Sequence, residues 1–429
     1  MLVGGCTTPR EFPAPNLPSS ARLIDEESVG TTPRSDLAVR TAGYKPSNVL
    51  VLSGGGMNGA FPAGLLQGWT ESGTRPRFDV VTGISVGALI APFAFLGAEY
   101  DAALARSASL QPGDLYHRRP LPALAWADSL ADSGPLWRLI EAEITQDLLA
   151  KVAQAHGEGR RLYVGTTNLD TKRPVVWDLG AIAAGNDPQK LDLFRKVLLA
   201  SASMPGLFPP VPINVEIDRK RYTELHVDGG VSASLFLQPK MLGVDPAGPP
   251  PNTLGGNVYV IVAGKLFPDS FPVQRRLFQI SEGSISGLLQ AQFEGDLLRI
   301  YLLTLYAGAR FSLAAVPQDF GAGSSSMTLD SLLMRRIFDE GRRFGRAQGP
   351  WRTTPPGIDP RERQTPRQGV QLTTALKSSP TRLGDIQEPI EPEGNTDPGP
   401  RIRTWLRQKG IEKCQSVSAP ISGGTASEK

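Results

Sequence analysis

Phe78-Asp79-Val80-Val81-Thr82-Gly83-Ile84-Ser85-Val86-Gly87-Ala88-Leu89-Ile90-Ala91 is the stretch on which the reading of this chain turns. Phe78 to Thr82 is strand-like, Ala88 to Ala91 is apolar and helix-compatible, and G-x-S-x-G stands between them. A serine flanked by Gly83 and Gly87 at a strand-to-helix junction can occupy a sharp turn. Small neighbours let the backbone fold tightly and leave the hydroxyl exposed. The helix N-terminus at that point supplies unpaired N–H groups and the positive end of a dipole, which suit a developing oxyanion. Ser85 is therefore a candidate nucleophile, with Gly83 and Gly87 forming its elbow. In a chain with 46 glycines the pentapeptide alone does not decide the matter. Two further blocks do.

Upstream, the buried-strand pattern Val49-Leu50-Val51-Leu52 runs into Ser53-Gly54-Gly55-Gly56-Met57-Asn58-Gly59-Ala60-Phe61. A glycine run between a strand and an apolar helix brings several backbone amides close to whatever sits above the sheet edge. Gly54, Gly56 and Gly59 also fit G-x-G-x-x-G, the spacing of a dinucleotide loop. No acidic residue ends a second strand at the required offset, since Asp79 opens its strand, so an oxyanion loop is the better reading. Downstream, the strand-like Arg221 to Leu225 leads into His226-Val227-Asp228-Gly229-Gly230. The chain has three histidines, and His117 and His156 lie in polar surroundings. His226 and Asp228, two apart on a strand, point to the same face and cannot form the imidazole bridge of a Ser-His-Asp triad without a sharp turn. A Ser85–Asp228 pair is the simpler arrangement, and Ser85 with His226 and another acid is its rival.

These three blocks, in this order, resemble the patatin-like phospholipase family. Gly165-Thr166-Thr167-Asn168-Leu169-Asp170-Thr171, followed by Val175-Val176-Trp177-Asp178, is similar to that family's central hairpin. Ala200 to Val211 is similar to its proline-rich block. The resemblance covers residues 48–240. It implies Ser85 as nucleophile, Asp228 as base, and the amides of Gly54, Gly55 and Gly56 as oxyanion hole. It also implies a lipid or phospholipid substrate, a membrane surface as partner, and no cofactor or metal. Many family members carry Arg or Lys where this chain has Asn58, a neutral donor, which argues against strong preference for anionic phospholipids. A general carboxylesterase or acyltransferase, or a silent lipid-binding envelope protein, are the alternatives.

The 429 residues carry a net charge of +3 and no dense basic run, which gives no case for nucleic acid. Strands are expected near 48–53, 78–82, 161–168, 174–178, 222–227 and 258–263, and helices near 60–71, 86–97, 99–107, 135–155 and 190–202. This alternation predicts an α/β layered fold, and the resemblance implies a central, mostly parallel sheet flanked by helices. Ile285 to Tyr306 and Ser331 to Arg346 have helical apolar spacing and are expected to complete the domain. The first packs through Ile285, Leu288, Leu289, Phe293, Leu297 and Ile300. The second packs through Leu332, Leu333, Ile337, Phe338 and Phe344, with Arg335, Arg336, Arg342 and Arg343 opposed. Phe93 is read as core, while Phe61, Leu207 and Phe208 could be core or acyl groove. The expected division is a lead-in over 1–45, a catalytic domain over 46–348, and a Pro- and Gly-rich tail over 349–429. Both flanking segments read as disordered. Cys6 after Leu2-Val3-Gly4-Gly5 resembles the end of a bacterial lipoprotein signal, which would anchor the protein to a cell envelope, although the charged and apolar parts of such a signal are missing; a cytoplasmic location is the alternative. Cys414 has no metal-ligand company. No run of eighteen apolar residues predicts a transmembrane helix.

Overall fold

The computed structural model describes residues 46–358 apart from 108, 121, 123–125, 218–219, 245–254, 270–272 and 321–330. Cys6, Cys414, the lead-in and the tail beyond 358 lie outside the described residues.

The apolar runs fall where a layered sheet needs them. In chain order the described elements are β1 (Asn48–Leu52), α1 (Ala60–Glu71), β2 (Val80–Ile84), α2 (Val86–Leu96), α3 (Asp101–Ser107), α4 (Pro112–Leu115), β3 (His117–Arg118) and β4 (Ala131–Asp132). There follow α5 (Gly134–Glu143), α6 (Gln146–Gly157), β5 (Arg161–Asn168), β6 (Arg173–Asp178), α7 (Leu179–Ala184), α8 (Lys190–Ser201), β7 (Val211–Ile217) and β8 (Lys220–Asp228). Last come β9 (Asn257–Val262), α9 (Leu277–Tyr306), β10 (Arg310–Ala315) and α10 (Ser331–Arg346).

The main sheet runs β10-β9-β1-β2-β5-β8-β7, and β6 also pairs with β5. From β10 to β5 every pairing is parallel; β6, β8 and β7 join antiparallel. Strand residues alternate between two buried layers, as a pleat with period two requires. Leu50, Leu52, Val81, Leu162 and Val164 belong to the core shared with α1, α2, α5, α6 and α8. Val49, Val51, Val80, Val258 and Val260 belong to the opposite core, with Phe293, Leu297 and Ile300 of α9. The expected mixed α/β class with a mostly parallel sheet is the one observed.

The expected helix over 135–155 is two helices. The chain breaks at Ile144, and Thr145 caps α6 by accepting the Leu148 N–H at 3.2 Å, a bond available only where a new helix starts. On α10 the inward face is Met334, Ile337, Phe338, Gly341 and Gly345, while Leu332 is 77% exposed. The face is set by glycines. A Cβ at Gly64 or Gly68 of α1 would lie 2.0 Å from the carbonyl oxygen of Phe338 or Arg342, and one at Gly341 would lie 2.2 Å from that of Phe61. Backbone meets backbone there, and α10 holds α1 in place behind the glycine loop. Two of its arginines are spent on that contact, since Arg342 and Arg346 both pair with Glu71. The packed chain also runs past residue 348: Trp351 stacks at 5.1 Å on Trp69, and Arg352 bridges to Leu313.

The packing expected of α9 holds for only half of the helix. Phe293, Leu297 and Ile300 are buried, but Ile285 is 57%, Leu288 71% and Leu289 42% exposed. A helix of 30 residues is about 45 Å long, whereas the six-residue strands beneath it span about 20 Å. The surplus has nothing to pack on. Among the described residues no helix is long and apolar enough to cross a membrane.

Candidate active site

Ser85 stands between the end of β2 and the start of α2 with φ 56° and ψ −126°, a backbone conformation that costs a non-glycine residue on the order of 1–3 kcal/mol. The neighbours leave no alternative. A Cβ at Gly83 would lie 2.5 Å from the Gly87 carbonyl oxygen, and one at Gly87 would lie 2.6 Å from that of Ser53. Ser201, at the end of α8, fixes the turn from below. Its Oγ accepts the Ser85 N–H at 3.0 Å and donates to the Gly165 carbonyl at 2.7 Å. Sequence reasoning gave Ser201 no role; its only signal was membership of the Ala200 to Val211 block.

The same block seats Asp228. β8 brings Asp228 opposite Thr166 of β5, and the Asp228 N–H donates to the Ser203 carbonyl at 2.9 Å. One carboxylate oxygen, Oδ1, accepts the Gly230 N–H at 2.7 Å. The other, Oδ2, accepts the Ser85 hydroxyl at 2.6 Å. Burial pushes the Asp228 carboxyl up to about 6, and the two hydrogen bonds oppose that push without cancelling it.

His226 faces a different set of partners. Trp177 Nε1, a donor only, gives its hydrogen to Thr166 Oγ1 at 2.8 Å. The Thr166 hydroxyl then has His226 Nδ1, at 2.9 Å, to receive its own hydrogen. That assigns the ring proton to Nε2, which donates to Glu224 Oε2 at 3.1 Å. All three of Thr166, Glu224 and His226 are buried. The imidazole is thus committed to a structural network and not to Ser85. His226→Ala is expected to keep ester turnover per folded molecule within about threefold, while lowering stability by about 1–3 kcal/mol because Glu224 loses a buried partner. Urea unfolding together with active-site-normalised rates checks this; a collapsed rate in a stable variant would return His226 to the reaction. The other two histidines lie elsewhere: His117 is exposed on β3, and His156 sits 3.6 Å from Asp178.

The glycine loop divides its labour differently from the expectation. Gly54 N–H donates to the Ser234 carbonyl at 3.2 Å, so this amide is already engaged. Ser53 Oγ accepts the Ala263 N–H at 2.9 Å and ties the loop to the end of β9. Gly55 has φ 156°, and a Cβ there would fall 1.8 Å from the Ala263 carbonyl oxygen, so only glycine fits. Gly55 and Gly56 head a short 3-10 turn, Gly56–Gly59, that leads into α1. Their amides are at the unpaired start of a helical segment, the position from which backbone N–H groups stabilise an anion.

Gly56, Ser85 and Asp228 open into a cavity of about 240 Å³. Its walls are mainly aliphatic and aromatic, with Leu89, Leu139, Leu207 and Phe208 among them. Phe93 belongs to the core, as expected, and also lines this cavity, and Phe61 is fully buried.

A strand-to-helix serine elbow stands at the carboxyl ends of a mostly parallel sheet in this α/β protein, with an apolar cavity before it. Residues 50–239 match the family model of patatin-like phospholipase. No curated protein sequence aligns significantly with the chain. Among solved structures, VipD from Legionella pneumophila is similar over 70% of this chain and 66% of its own, at 14% identity and TM-score 0.34. The type III effector protein ExoU is similar over 71% of this chain and 52% of its own, at 14% identity and TM-score 0.32. The chain therefore spans somewhat less than two thirds of the one and about half of the other.

Proposed function

We propose that this protein is a serine acyl hydrolase of lipid esters, with Ser85 as nucleophile and Asp228 as its base. The observation that carries the reading is the 2.6 Å hydrogen bond from Ser85 Oγ to Asp228 Oδ2 at the end of an apolar cavity. Ser85 Oγ attacks the ester carbonyl carbon as its proton passes to Asp228 Oδ2. The carbonyl oxygen becomes an oxyanion beside the Gly55 and Gly56 amides, where fixed N–H dipoles stabilise it. Collapse of this intermediate breaks the ester bond, and the departing alcohol takes the proton back from Asp228. Water then attacks the acyl–Ser85 ester while giving a proton to Asp228. The fatty acid leaves, and Ser85 recovers its hydrogen. The apolar walls match a fatty-acyl chain, and the family match favours a phospholipid over other esters.

The test is direct. The purified chain should be labelled by a serine-reactive fluorophosphonate at Ser85 and should release fatty acid from mixed phospholipid vesicles. Turnover of soluble p-nitrophenyl esters without release from vesicles would make it a carboxylesterase. A folded chain that is neither labelled nor active would be a silent lipid-binding protein.

A further inference from the structure

The surplus half of α9 lies at one particular end of the molecule. β9 runs parallel to β1, and the residue after its last turn-in, Ala263, abuts Gly55 of the glycine loop. The carboxyl end of β9 is therefore at the Ser85 edge of the sheet. α9 must then return the chain to the opposite edge, because Arg310 at the start of β10 pairs with Asn257 at the start of β9. The N-terminal end of α9 thus belongs to the Ser85 edge and its C-terminal end to the far edge. Side-chain bonds agree: Gln292 Nε2 donates to the Gly230 carbonyl at 3.4 Å, and Asp296 Oδ2 accepts the Ser234 N–H at 2.8 Å, both just past Asp228. From Leu277 to Leu289 the described side chains are solvent-accessible and, Gln279 apart, exposed. Thirteen residues of helix extend about 20 Å beyond the last of those contacts.

This arm is two-faced. At 100° per residue, Ile280, Leu277, Leu288, Ile285 and Leu289 fall within one half of its circumference, with Ser281 and Ser284 between them, and Gln279, Glu282, Ser286 and Gln290 fall in the other. Leu277 is 84% and Leu288 71% exposed, values that water penalises and that a monomeric surface rarely gathers on one face. Arg275 and Arg276 stand exposed at its start, and between Val273 and Leu289 the single acidic residue is Glu282. Exposed apolar side chains also stand on segments that adjoin cavity residues. Val231, next to the Asp228-Gly229-Gly230 turn, is 45% exposed. Leu130 is 54% exposed on a segment bound by backbone to Gly206 and to the cavity-lining Leu207.

We infer that the first half of α9 is a membrane-docking arm that seats the Ser85 edge on a lipid bilayer. Its apolar face lies in the headgroup–acyl boundary, and Arg275 and Arg276 contact lipid phosphates. Apolar face, cationic start and opposed polar face are what an interfacial helix needs, and the arm's place at the Ser85 edge would bring the cavity mouth to the lipid. The inference rests on the acyl-hydrolase reading for what docking delivers to Ser85. Docking itself is measurable without turnover.

The experiment is co-sedimentation of the full chain, carrying Ser85→Ala, with mixed phosphatidylcholine–phosphatidylglycerol vesicles, against the same chain with Ile280→Asp and Leu288→Asp added. Both positions are solvent-exposed, so the fold tolerates them. The added pair is expected to weaken vesicle binding at least about tenfold. Arg275→Glu with Arg276→Glu is expected to weaken it on phosphatidylglycerol-containing vesicles more than on pure phosphatidylcholine. In the Ser85-intact chain, Ile280→Asp/Leu288→Asp should leave soluble-ester hydrolysis unchanged and slow vesicle hydrolysis. Undiminished vesicle binding by the aspartate pair would overturn the docking arm. So would conversion of a dimer to a monomer with vesicle binding intact, which would make the face a contact between two copies. A chain inactive on every ester, whose vesicle binding still depends on Ile280 and Leu288, would refute the hydrolase reading and leave the docking arm standing.

Discussion

Ser85→Ala is expected to abolish fluorophosphonate labelling and to lower ester hydrolysis by about 10⁴-fold or more, since the nucleophile of an acyl-transfer site has no substitute and the remaining groups only bind and polarise the ester. The fold should survive. Alanine keeps the Cβ and so keeps the strained φ of 56°, while the lost hydroxyl removes one donor from the buried Asp228 carboxylate. Ser85→Gly separates these effects. Glycine adopts positive φ freely, so this variant should be as inactive as Ser85→Ala yet more stable by about 1 kcal/mol. Such a pair would show that the elbow stores backbone strain to present a hydroxyl. If Ser85→Ala hydrolysed esters at the parent rate, Ser85 would have no part in the reaction, whatever its geometry.

How much of this could be read before any coordinates depends on the range of the interactions involved. The Ser85 elbow, the glycine loop and the Asp228 turn each announce themselves within a few residues, because local backbone sterics dictate their glycines. The parallel strands β1, β2 and β9 were equally legible, being buried on both faces and therefore continuous in apolar character. What escaped was settled between distant segments. Ser201 is one serine among many until α8 places it 3.0 Å beneath the Ser85 amide. The commitment of the Gly54 amide depends on Ser234, 180 residues away in sequence. His226 and Asp228 share a strand face, so sequence alone could not dismiss an imidazole base. Thr166, Trp177 and Glu224 do so by occupying the ring. Periodicity reports an apolar face and not what covers it, so the sequence implies packing for the first half of α9, which is exposed.

Asp228→Asn should lose activity at every pH and gain stability at neutral pH, and the two effects come from one carboxyl. In the folded chain this group is raised from 3.8 to about 6 by burial. A base must be ionised to accept the Ser85 proton, so parent kcat/KM should rise with pH, reach half its plateau near pH 6 and stay level above it. Stability runs the other way. Below pH 4 the carboxyl is neutral in both folded and unfolded chains, and Asp228 costs nothing relative to asparagine. Between about 4 and 6 the unfolded chain ionises while the folded one resists, so the parent loses stability as pH rises through that window. Above it, the raised value corresponds to a cost of about 3 kcal/mol. An asparagine side chain still offers an oxygen to the Gly230 N–H and carries no charge to desolvate. Urea midpoints of parent and Asp228→Asn should therefore coincide near pH 4 and separate by pH 8, with the variant more resistant. Equal midpoints at both pH values, or a parent rate flat through pH 6, would mean that this carboxyl is not the buried base. A gain in stability together with a dead enzyme would show the fold sustaining an unfavourable charge where the Ser85 proton has to go.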